Sequence, residues 1–318
     1  VYQRQVYWCP HCETALAEAE IEYKDRKSPS IYVKFPAKNI KGLGPEGVDQ
    51  SKLFAVIWTT TPWTIPANQY ISVNPKFTYV WVHNLDADEY YLMNKDLAPA
   101  ALADCKIENY EFAGREMTGA EWELAEFMHP WASYNRAVYV LEGNHVTLDA
   151  GTGCVHTAPG HGVDDFEVYK KYENEGRLKQ EVICPVDNKG RMTAEAGSFL
   201  EGKTVWEAEG PSISALAHEG MLLGKKSLHH QYAHCWRCKN PVIYRATEQW
   251  FASINDFRED ALKAVDETRF IPSWGHDRLY NMIRDRQDWC ISRQRSWGVP
   301  IPAFYCDGCG NYVITPET

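Results

Sequence analysis

The chain has 318 residues with a formal net charge of −10; 44% of its residues are hydrophobic, 24% charged and 13% aromatic. This composition predicts a folded chain with two or three cores, and it excludes disorder, collagen-like repeats and coiled coil as the main theme. The apolar runs are far shorter than the ~20 residues that a membrane helix needs. We therefore expect a cytoplasmic protein with no membrane contact. Because the chain begins at Val1 and ends just after a cysteine pair, we expect it to be a piece of something longer.

The acidic balance argues against a general nucleic-acid coat, because such binding needs clustered Lys and Arg. Residues 231–318 hold 11 basic and 11 acidic side chains, so the net negative charge lies in residues 1–230. A local contact with nucleic acid in the second part remains compatible with this charge.

The predicted elements are mostly short strands. Residues 15–23 fit a strand or a helix, residues 38–50 read as a loop, and Pro62 stops the strand before it. After a loop at 158–162 we expect a helix capped by Asp164 or Asp165 and ended by Gly176. The strands are predicted at 31–36, 53–61, 77–84, 90–93, 137–141 and 152–157, and further helices at 97–102, 257–265 and 278–288.

This pattern indicates an α+β, mainly β fold, with a barrel-like β core decorated with helices. From residue 248 onward helical patterns take over, which predicts a different domain with a helical strip.

Six of the ten cysteines form three pairs with a two-residue gap, a spacing that lets both thiolates of a pair bind one tetrahedral Zn²⁺. A closed structural site takes two pairs. We expect the first two pairs to form it, and the third to be a half-site that needs ligands beyond Thr318; redox or free thiols remain the alternative. The pairs are Cys9 and Cys12, Cys235 and Cys238, and Cys306 and Cys309.

A zinc site of this kind would close a neck around an insertion. We expect residues 1–12 and 231–247 to form the zinc-ribbon neck and residues 13–230 the inserted domain. Residues 248–318 would then belong to a further domain that carries the half-site.

Two segments concentrate reactive groups: residues 58–68 (WTTTPWTIPAN) and residues 151–165 (GTGCVHTAPGHGVDD). In the first, Pro62 and Pro66 fix a turn where the hydroxyls of a threonine run emerge, although the run also fits an ordinary strand. In the second, His156, His161 and an Asp could ligate a catalytic metal ion. Cys154 and His156 could also act as a thiol nucleophile and its base.

These two segments resemble the signature stretches of the editing domain that is inserted in the isoleucyl-tRNA synthetases, class I enzymes of bacterial or organellar type. Residues 15–23, 235–241 and 288–298 resemble the same family, in the same order, so the resemblance covers nearly the whole chain. The valyl and leucyl relatives carry Arg-Pro-Glu-Thr or Arg-Pro-Asp-Thr where this chain has Thr59-Thr-Thr-Pro62. The adenylate-forming signatures of the family, His-Ile-Gly-His and Lys-Met-Ser-Lys-Ser, are absent from the sequence.

The resemblance implies post-transfer editing: a positioned water hydrolyses the ester of tRNA(Ile) that carries valine, and the fragment does not aminoacylate. It implies a structural Zn²⁺ and no cofactor for the chemistry. The implied partners are the 3′ end of the tRNA and the remainder of the parent synthetase, with the fragment a monomer.

The resemblance also implies individual roles. Asp165 would pair with the α-ammonium of the substrate, and His156 would set the size limit. The residues implied in catalysis are Thr59, Thr60, Thr61, His156 and Asp165, and those implied in substrate binding are Trp58, Asn68, His161 and Asp164. Two alternatives stay open: a zinc-stapled tRNA-binding module without turnover, and a metal-dependent hydrolase that uses His156 and His161.

Overall fold

Strands dominate the chain in the computed structural model, which describes residues 2–286 and 288–317. They form a ten-stranded sheet, a three-stranded sheet and two short two-stranded ribbons. The strands are β1 (Tyr2–Cys9), β2 (Thr14–Leu16), β3 (Ile21–Asn39), β4 (Leu53–Thr59), β5 (Tyr70–Val73), β6 (Thr78–Asn84), β7 (Glu89–Asn94), β8 (Tyr110–Thr118), β9 (Glu126–Met128), β10 (Ala137–Glu142), β11 (Val155–Thr157), β12 (Leu222–Cys235), β13 (Ile243–Gln249), β14 (Phe251–Ala252), β15 (Trp289–Cys290), β16 (Phe304–Tyr305) and β17 (Tyr312–Val313).

Helices are few and lie outside the large sheet. None of those in residues 2–286 and 288–317 combines the length and the apolar character that a bilayer crossing requires. They are α1 (Ala98–Asp104), α2 (Val163–Asn174), α3 (Val205–His218), α4 (Arg258–Asp266) and α5 (Trp274–Arg284).

The long strand β3 closes part of the large sheet into a barrel. Its residues 31–36 pair with β4, and its end, residues 37–39, pairs with β9. The ring then runs through β10, β5 and β11 back to β4. The predicted barrel-like β core with few helices is confirmed.

Alternation along the barrel strands explains its core. Ile31, Val33 and Phe35 of β3 lie in one apolar cluster with inward residues of β4, β5 and β10. The intervening Tyr32 faces a second cluster that packs under α1. Because both faces of β3 are buried here, each of these side chains contributes about 1.5–3 kcal/mol from removal of apolar surface from water.

A two-stranded ribbon joins the barrel to the three-stranded sheet. In it β12 pairs antiparallel with β3, from Leu222 opposite Val33 to Cys235 opposite Ile21. The three-stranded sheet has the order β13-β1-β2. It lies beside a cluster that contains Cys9, Cys12, Cys235 and Cys238, called the cysteine cluster below.

Several sequence predictions need correction. Residues 38 and 39 belong to β3 rather than to a loop, and residues 15–23 split into β2, a 3-10 turn and the start of β3. The helix predicted at 278–288 spans Trp274–Arg284 instead. The sequence patterns gave no indication of β12 or α3, both of which are well formed.

Candidate functional site

The threonine run ends β4 and leads into a 3-10 turn, Pro62–Ala67. Pro62 at the first turn position and Pro66 inside it restrict the backbone there. The hydroxyl groups of this region lie within reach of one another: Thr59 Oγ1 and Thr64 Oγ1 are each 3.2 Å from Thr61 Oγ1, and Thr64 donates to the Thr61 carbonyl at 2.8 Å. The result is a short chain of hydroxyls at the end of a buried strand.

His156 is the buried end of this hydroxyl chain. Its strand, β11, lies between β4 and β5, so the imidazole sits behind the threonine turn. The Asn68 amide nitrogen donates to the Tyr70 carbonyl at 3.1 Å and lies 2.8 Å from His156 Nδ1. Since an amide nitrogen only donates, Nδ1 accepts and the His156 proton is on Nε2, 2.8 Å from the Thr64 hydroxyl oxygen. Burial lowers the pKa of His156 to about 3, so the ring is neutral.

Asp165 lies in the first turn of α2, where a carboxylate is favoured by the helix dipole. Gly162 occupies the cap position, and neither Asp164 nor Asp165 caps the helix, contrary to the sequence prediction. A Cβ at residue 162 would lie 2.4 Å from the Asp165 carboxylate, so glycine makes the room for it. The carboxylate accepts a hydrogen bond from the Ala158 backbone N–H at 2.8 Å. Burial raises the pKa of Asp165 to about 7.

The hydroxyls, His156 and Asp165 share one cavity of about 390 Å³. Cysteine, serine and lysine are missing from the described residues that line it. Of the predicted site residues, those on its wall are Trp58, Thr59, Thr60, Thr61, His156, His161 and Asp165.

Two predicted residues are not on the cavity wall. Asn68 is fully buried behind His156, and Asp164 is exposed on the outer side of α2.

Sequence reasoning missed part of the cavity wall. Thr64 and the segment 145–150, which includes His145 and Asp149, also line it. That segment immediately precedes the glycine-rich stretch, so proximity in sequence was an available signal. Gly151 has φ +86° and lies against the Trp58 ring, which brings the segment over the threonine turn.

His161 occupies the wall between this cavity and a second one of about 270 Å³. Its Nδ1 lies 3.0 Å from the Tyr244 carbonyl, which fixes the proton on Nδ1, and its ring meets Trp63 edge-on. Burial lowers the pKa of His161 to about 4. The aromatic rings on the wall of the second cavity come from the three-stranded sheet, the β3–β12 ribbon and the 3-10 turn: Tyr7, Tyr244, Tyr23, Tyr232 and Trp63.

Neither a catalytic metal ion at His156 nor a Cys154 thiol nucleophile finds the geometry that it needs. Both nitrogens of His156 are engaged by Asn68 and Thr64, which leaves none for a metal ion or a thiol. Cys154 is buried, points its Sγ towards the Leu92 carbonyl, and has a pKa raised by burial to about 12.

The first two cysteine pairs come together as predicted. Their four Sγ atoms, one from each of Cys9, Cys12, Cys235 and Cys238, all lie within 4.8 Å of one another. A tetrahedral Zn²⁺ with bonds of about 2.3 Å requires S–S separations of about 3.8 Å. Cys9 Sγ and Cys238 Sγ are 3.4 Å apart, close to that value. This arrangement can hold a metal ion.

The third pair has the local geometry of the second without a partner pair. The Cys235 N–H donates to Asn240 and the Lys239 N–H to Cys235, both at 2.8 Å; Cys306, Gly310 and Asn311 repeat both bonds at the same distance. Cys306 and Cys309 are exposed, and among the described residues no further ligand joins them.

Comparisons with known proteins give matches over nearly the whole length of the chain. The profile of the tRNA synthetases class I (I, L, M and V) matches residues 1–318. The isoleucine–tRNA ligase of Syntrophomonas wolfei is 53% identical over 315 residues, and that of Caldicellulosiruptor bescii is 51% identical over 316. Each alignment covers 99% of this chain but only 32% and 33% of the relative, so the chain spans about a third of the length of these curated relatives.

Two solved structures align with part of this chain at low identity. The editing domain of P. knowlesi cytosolic leucyl-tRNA synthetase has a TM-score of 0.49 at 12% identity, and the alignment covers 62% of this chain and 96% of that one. The P. falciparum domain has a TM-score of 0.46 at 10% identity, with 63% and 99% covered. At these scores the likeness supports no inference about activity.

Proposed function

The chain belongs to the class I tRNA synthetases of the isoleucine, leucine, methionine and valine group, and from that premise we propose that it hydrolyses the ester of tRNA(Ile) mischarged with valine. It acts as the editing part of a longer isoleucyl-tRNA synthetase in the cytoplasm and is monomeric. Residues 13–230 form the editing domain, and residues 248–318 belong to the aminoacylating part of the parent enzyme.

The observation that carries this proposal is the partly buried Asp165 carboxylate on the wall of a hydroxyl-lined cavity. Asp165 forms no ion pair with Lys or Arg in the described part of the chain. An aminoacyl ester brings the missing cation, because its α-amino group is free and protonated. A charge-assisted hydrogen bond between the two fixes the ester in the cavity and excludes chains with a blocked amino group.

The cavity favours attack by water over a covalent intermediate, since the described residues of its lining include no Cys, Ser or Lys, and the hydroxyls of Thr59, Thr61 and Thr64 are hydrogen-bonded to one another. Thr59, Thr60 and Thr61 line the ester and ribose and hold the attacking water by hydrogen bonds. Water adds to the ester carbonyl, the bond to the ribose oxygen breaks, and the proton lost by the water ends on that oxygen. The products are valine and tRNA with a free terminal hydroxyl.

Discrimination between valine and isoleucine then depends on the volume of the cavity. In enzymes for isoleucine it is established that an aliphatic synthetic pocket separates substrates that differ by one methylene by only about 1–3 kcal/mol, so valine is admitted. The cavity of about 390 Å³, separate from the synthetic pocket, accepts valine, excludes isoleucine and so removes the error. His156 is held rigidly by two hydrogen bonds, and a rigid wall can enforce such a limit.

Zn²⁺ held by Cys9, Cys12, Cys235 and Cys238 is the structural part of the same proposal. Two of the four cysteines are fully buried, in an apolar cluster where a closed four-thiolate site fits. Zn²⁺ clamps the start of the chain to the end of β12 and plays no part in hydrolysis.

The direct test is deacylation at micromolar protein with Val-tRNA(Ile) as substrate and Ile-tRNA(Ile) as the matched control. We expect release of valine well above the uncatalysed rate and little release of isoleucine. A chain that only binds tRNA leaves both esters intact. Equal hydrolysis of both esters contradicts the proposed discrimination by the size of this cavity.

A further inference from the structure

The threonine turn is held from behind by a hairpin that sequence reasoning did not single out. The hairpin joins β9 to β10, and its two ends are tied by the His129 N–H, which donates to the Arg136 carbonyl at 2.9 Å. The side chains of these same two residues reach the carbonyl groups of the turn.

Arg136 binds two of those carbonyls with one nitrogen. Its NH1 donates to the carbonyls of Pro66 and Asn68, at 2.8 Å each. The guanidinium stacks over the Tyr134 ring, 5.3 Å from its centroid. An arginine used in this way fixes the direction of two peptide units, one on each side of that of Ala67, because its donors have a rigid planar geometry.

His129 binds a third carbonyl. Its Nδ1 accepts from the Trp131 N–H at 3.2 Å, so the proton is on Nε2, which donates to the Ile65 carbonyl at 2.9 Å. Burial lowers the pKa of His129 to about 3, and the ring therefore stays a neutral donor across the physiological range.

These contacts continue directly into the cavity. Asn68, whose carbonyl is held by Arg136, presents its amide nitrogen to His156 Nδ1. His156 Nε2–H then donates to the Thr64 hydroxyl, and Thr64 donates to the Thr61 carbonyl. From the Asn68 amide to Thr61, each donor determines which atom of the next residue accepts and which atom donates.

We propose that Arg136 and His129 are positioning residues that set the tautomer of His156 and, through it, the direction in which the threonine hydroxyls of the cavity donate. This inference rests on the proposed function for its catalytic consequence. Without the clamp, which is the set of bonds from Arg136 and His129 to the carbonyls of residues 65, 66 and 68, the backbone of the turn shifts. The Asn68 amide then leaves its position between the Tyr70 carbonyl and His156, and His156 also populates the form with its proton on Nδ1. Nε2 then accepts from Thr64, and the hydroxyl chain reverses.

The test uses the whole chain with ¹⁵N-labelled histidine, because long-range ¹⁵N–¹H spectra distinguish the two tautomers of an imidazole. In the unmodified protein we expect His156 as the single Nε2–H form. In Arg136→Met we expect averaged His156 ring signals, and in Arg136→Lys, which keeps one donor group, a smaller change.

Deacylation kinetics give the second measurement. For Arg136→Met we expect kcat to fall about tenfold with KM changed less than twofold, because the substrate contacts remain while the transition-state geometry is lost. The control is Tyr134→Phe, which removes the hydroxyl bond to the Ala196 carbonyl but keeps the ring over Arg136. It should lower stability without altering the His156 signals.

If Arg136→Met does not fold, the pair His129→Gln and His129→Leu replaces it, since Gln can still donate to the Ile65 carbonyl and Leu cannot. An unchanged single tautomer of His156 in Arg136→Met, or in His129→Leu where Arg136→Met does not fold, overturns the proposal. The spectra need no substrate, so a chain that shows the tautomer change but no hydrolysis contradicts the proposed function and leaves the clamp standing.

Discussion

The cysteine cluster and the larger cavity both bring distant chain segments together, yet they satisfy their polar groups in different ways. In the cavity, each hydroxyl and ring nitrogen of the Thr61, Thr64 and His156 series already has a partner within the protein. In the cluster, four thiol sulfurs face one another with few other partners.

This difference separates what each region depends on. A cavity organised by internal hydrogen bonds keeps its shape without any ligand, which is the condition for preorganised catalysis. A four-thiol cluster gains most of its cohesion from a bound ion, because metal binding free energy adds directly to folding free energy. Substitutions in the cavity should therefore alter the rate of hydrolysis, and substitutions in the cysteine cluster should alter the free energy of unfolding.

The largest expected effect comes from Cys235→Ser. Removing one thiolate opens the proposed site, and we expect a loss of bound zinc and a fall of several kcal/mol in the free energy of unfolding, since zinc-finger sites contribute about 10 kcal/mol or more. Metal analysis and denaturant unfolding measure both. A folded wild-type chain free of metal would contradict the prediction.

Asp165→Ala is the next in size. Loss of the charged hydrogen bond to the substrate ammonium should lower kcat/KM for Val-tRNA(Ile) about 100-fold, or about 3 kcal/mol, while zinc content is unchanged. Asp164→Ala is the matched control, because this neighbouring carboxylate is exposed and does not line the cavity. Equal loss in both variants would remove Asp165 from the site.

The pH dependence follows from the raised pKa of Asp165. Since only the carboxylate form pairs with an ammonium, KM should fall about tenfold between pH 6 and pH 8, through the pKa of about 7. The contribution of Asp165 to the free energy of unfolding has the opposite pH dependence. The folded chain holds a proton that the unfolded chain releases, so the contribution of this group is complete below about pH 4 and is lost as pH rises through 7. Asp165→Asn should flatten both profiles.

Asn68→Asp tests the hydrogen-bonded region with a smaller change. A carboxylate accepts where the amide donates, so His156 must carry a proton on Nδ1 and its pKa should rise. We expect a several-fold loss of kcat, together with a His156 signal that titrates at higher pH in NMR. Asn84→Asp, another buried amide in the β6–β7 hairpin, should leave both unchanged.

Cys306→Ser should have the smallest effect. This thiol is exposed and has no second pair in the described part of the chain, so the free energy of unfolding should change by less than about 0.5 kcal/mol. The contrast with Cys235→Ser, measured under the same conditions, isolates the contribution of a closed site from that of a single pair. Equal losses would mean that the third pair is also closed.

The sequence predicts a structural feature well when the residues that form it are close together in the chain. The cysteine pairs and the threonine turn follow from residues close together in sequence, and both were anticipated. The strand β12 was missed because its Lys, His and Gln residues carry no apolar alternation; it is held by pairing with β3. Propensity cannot report such a pairing.

The same limit applies within the cavity. Asp165 has the sequence signature of a helix cap, yet the cap is Gly162, because the Asp165 carboxylate is engaged by the Ala158 N–H instead. Asn68 stands in the signature segment but lies behind His156. The clamp formed by His129 and Arg136 is 64 to 70 residues from its partners in sequence, and nothing local marks it.

The β3–β12 ribbon also decides how the barrel can move relative to the cysteine cluster. From the pair Ile21–Cys235 to the pair Val33–Leu222 it is about 40 Å long, and only its far end, between Leu222 and Gly224, departs from regular register. Such a ribbon resists stretching, since that would break successive ladder bonds, but two-stranded ribbons twist readily. Rotation about the ribbon axis is opposed by two hydrogen bonds between the cavity loop and β13, from His161 Nδ1 to the Tyr244 carbonyl and from the Ala246 N–H to the Gly160 carbonyl. The cavity therefore keeps both its distance and its orientation relative to the cysteine cluster.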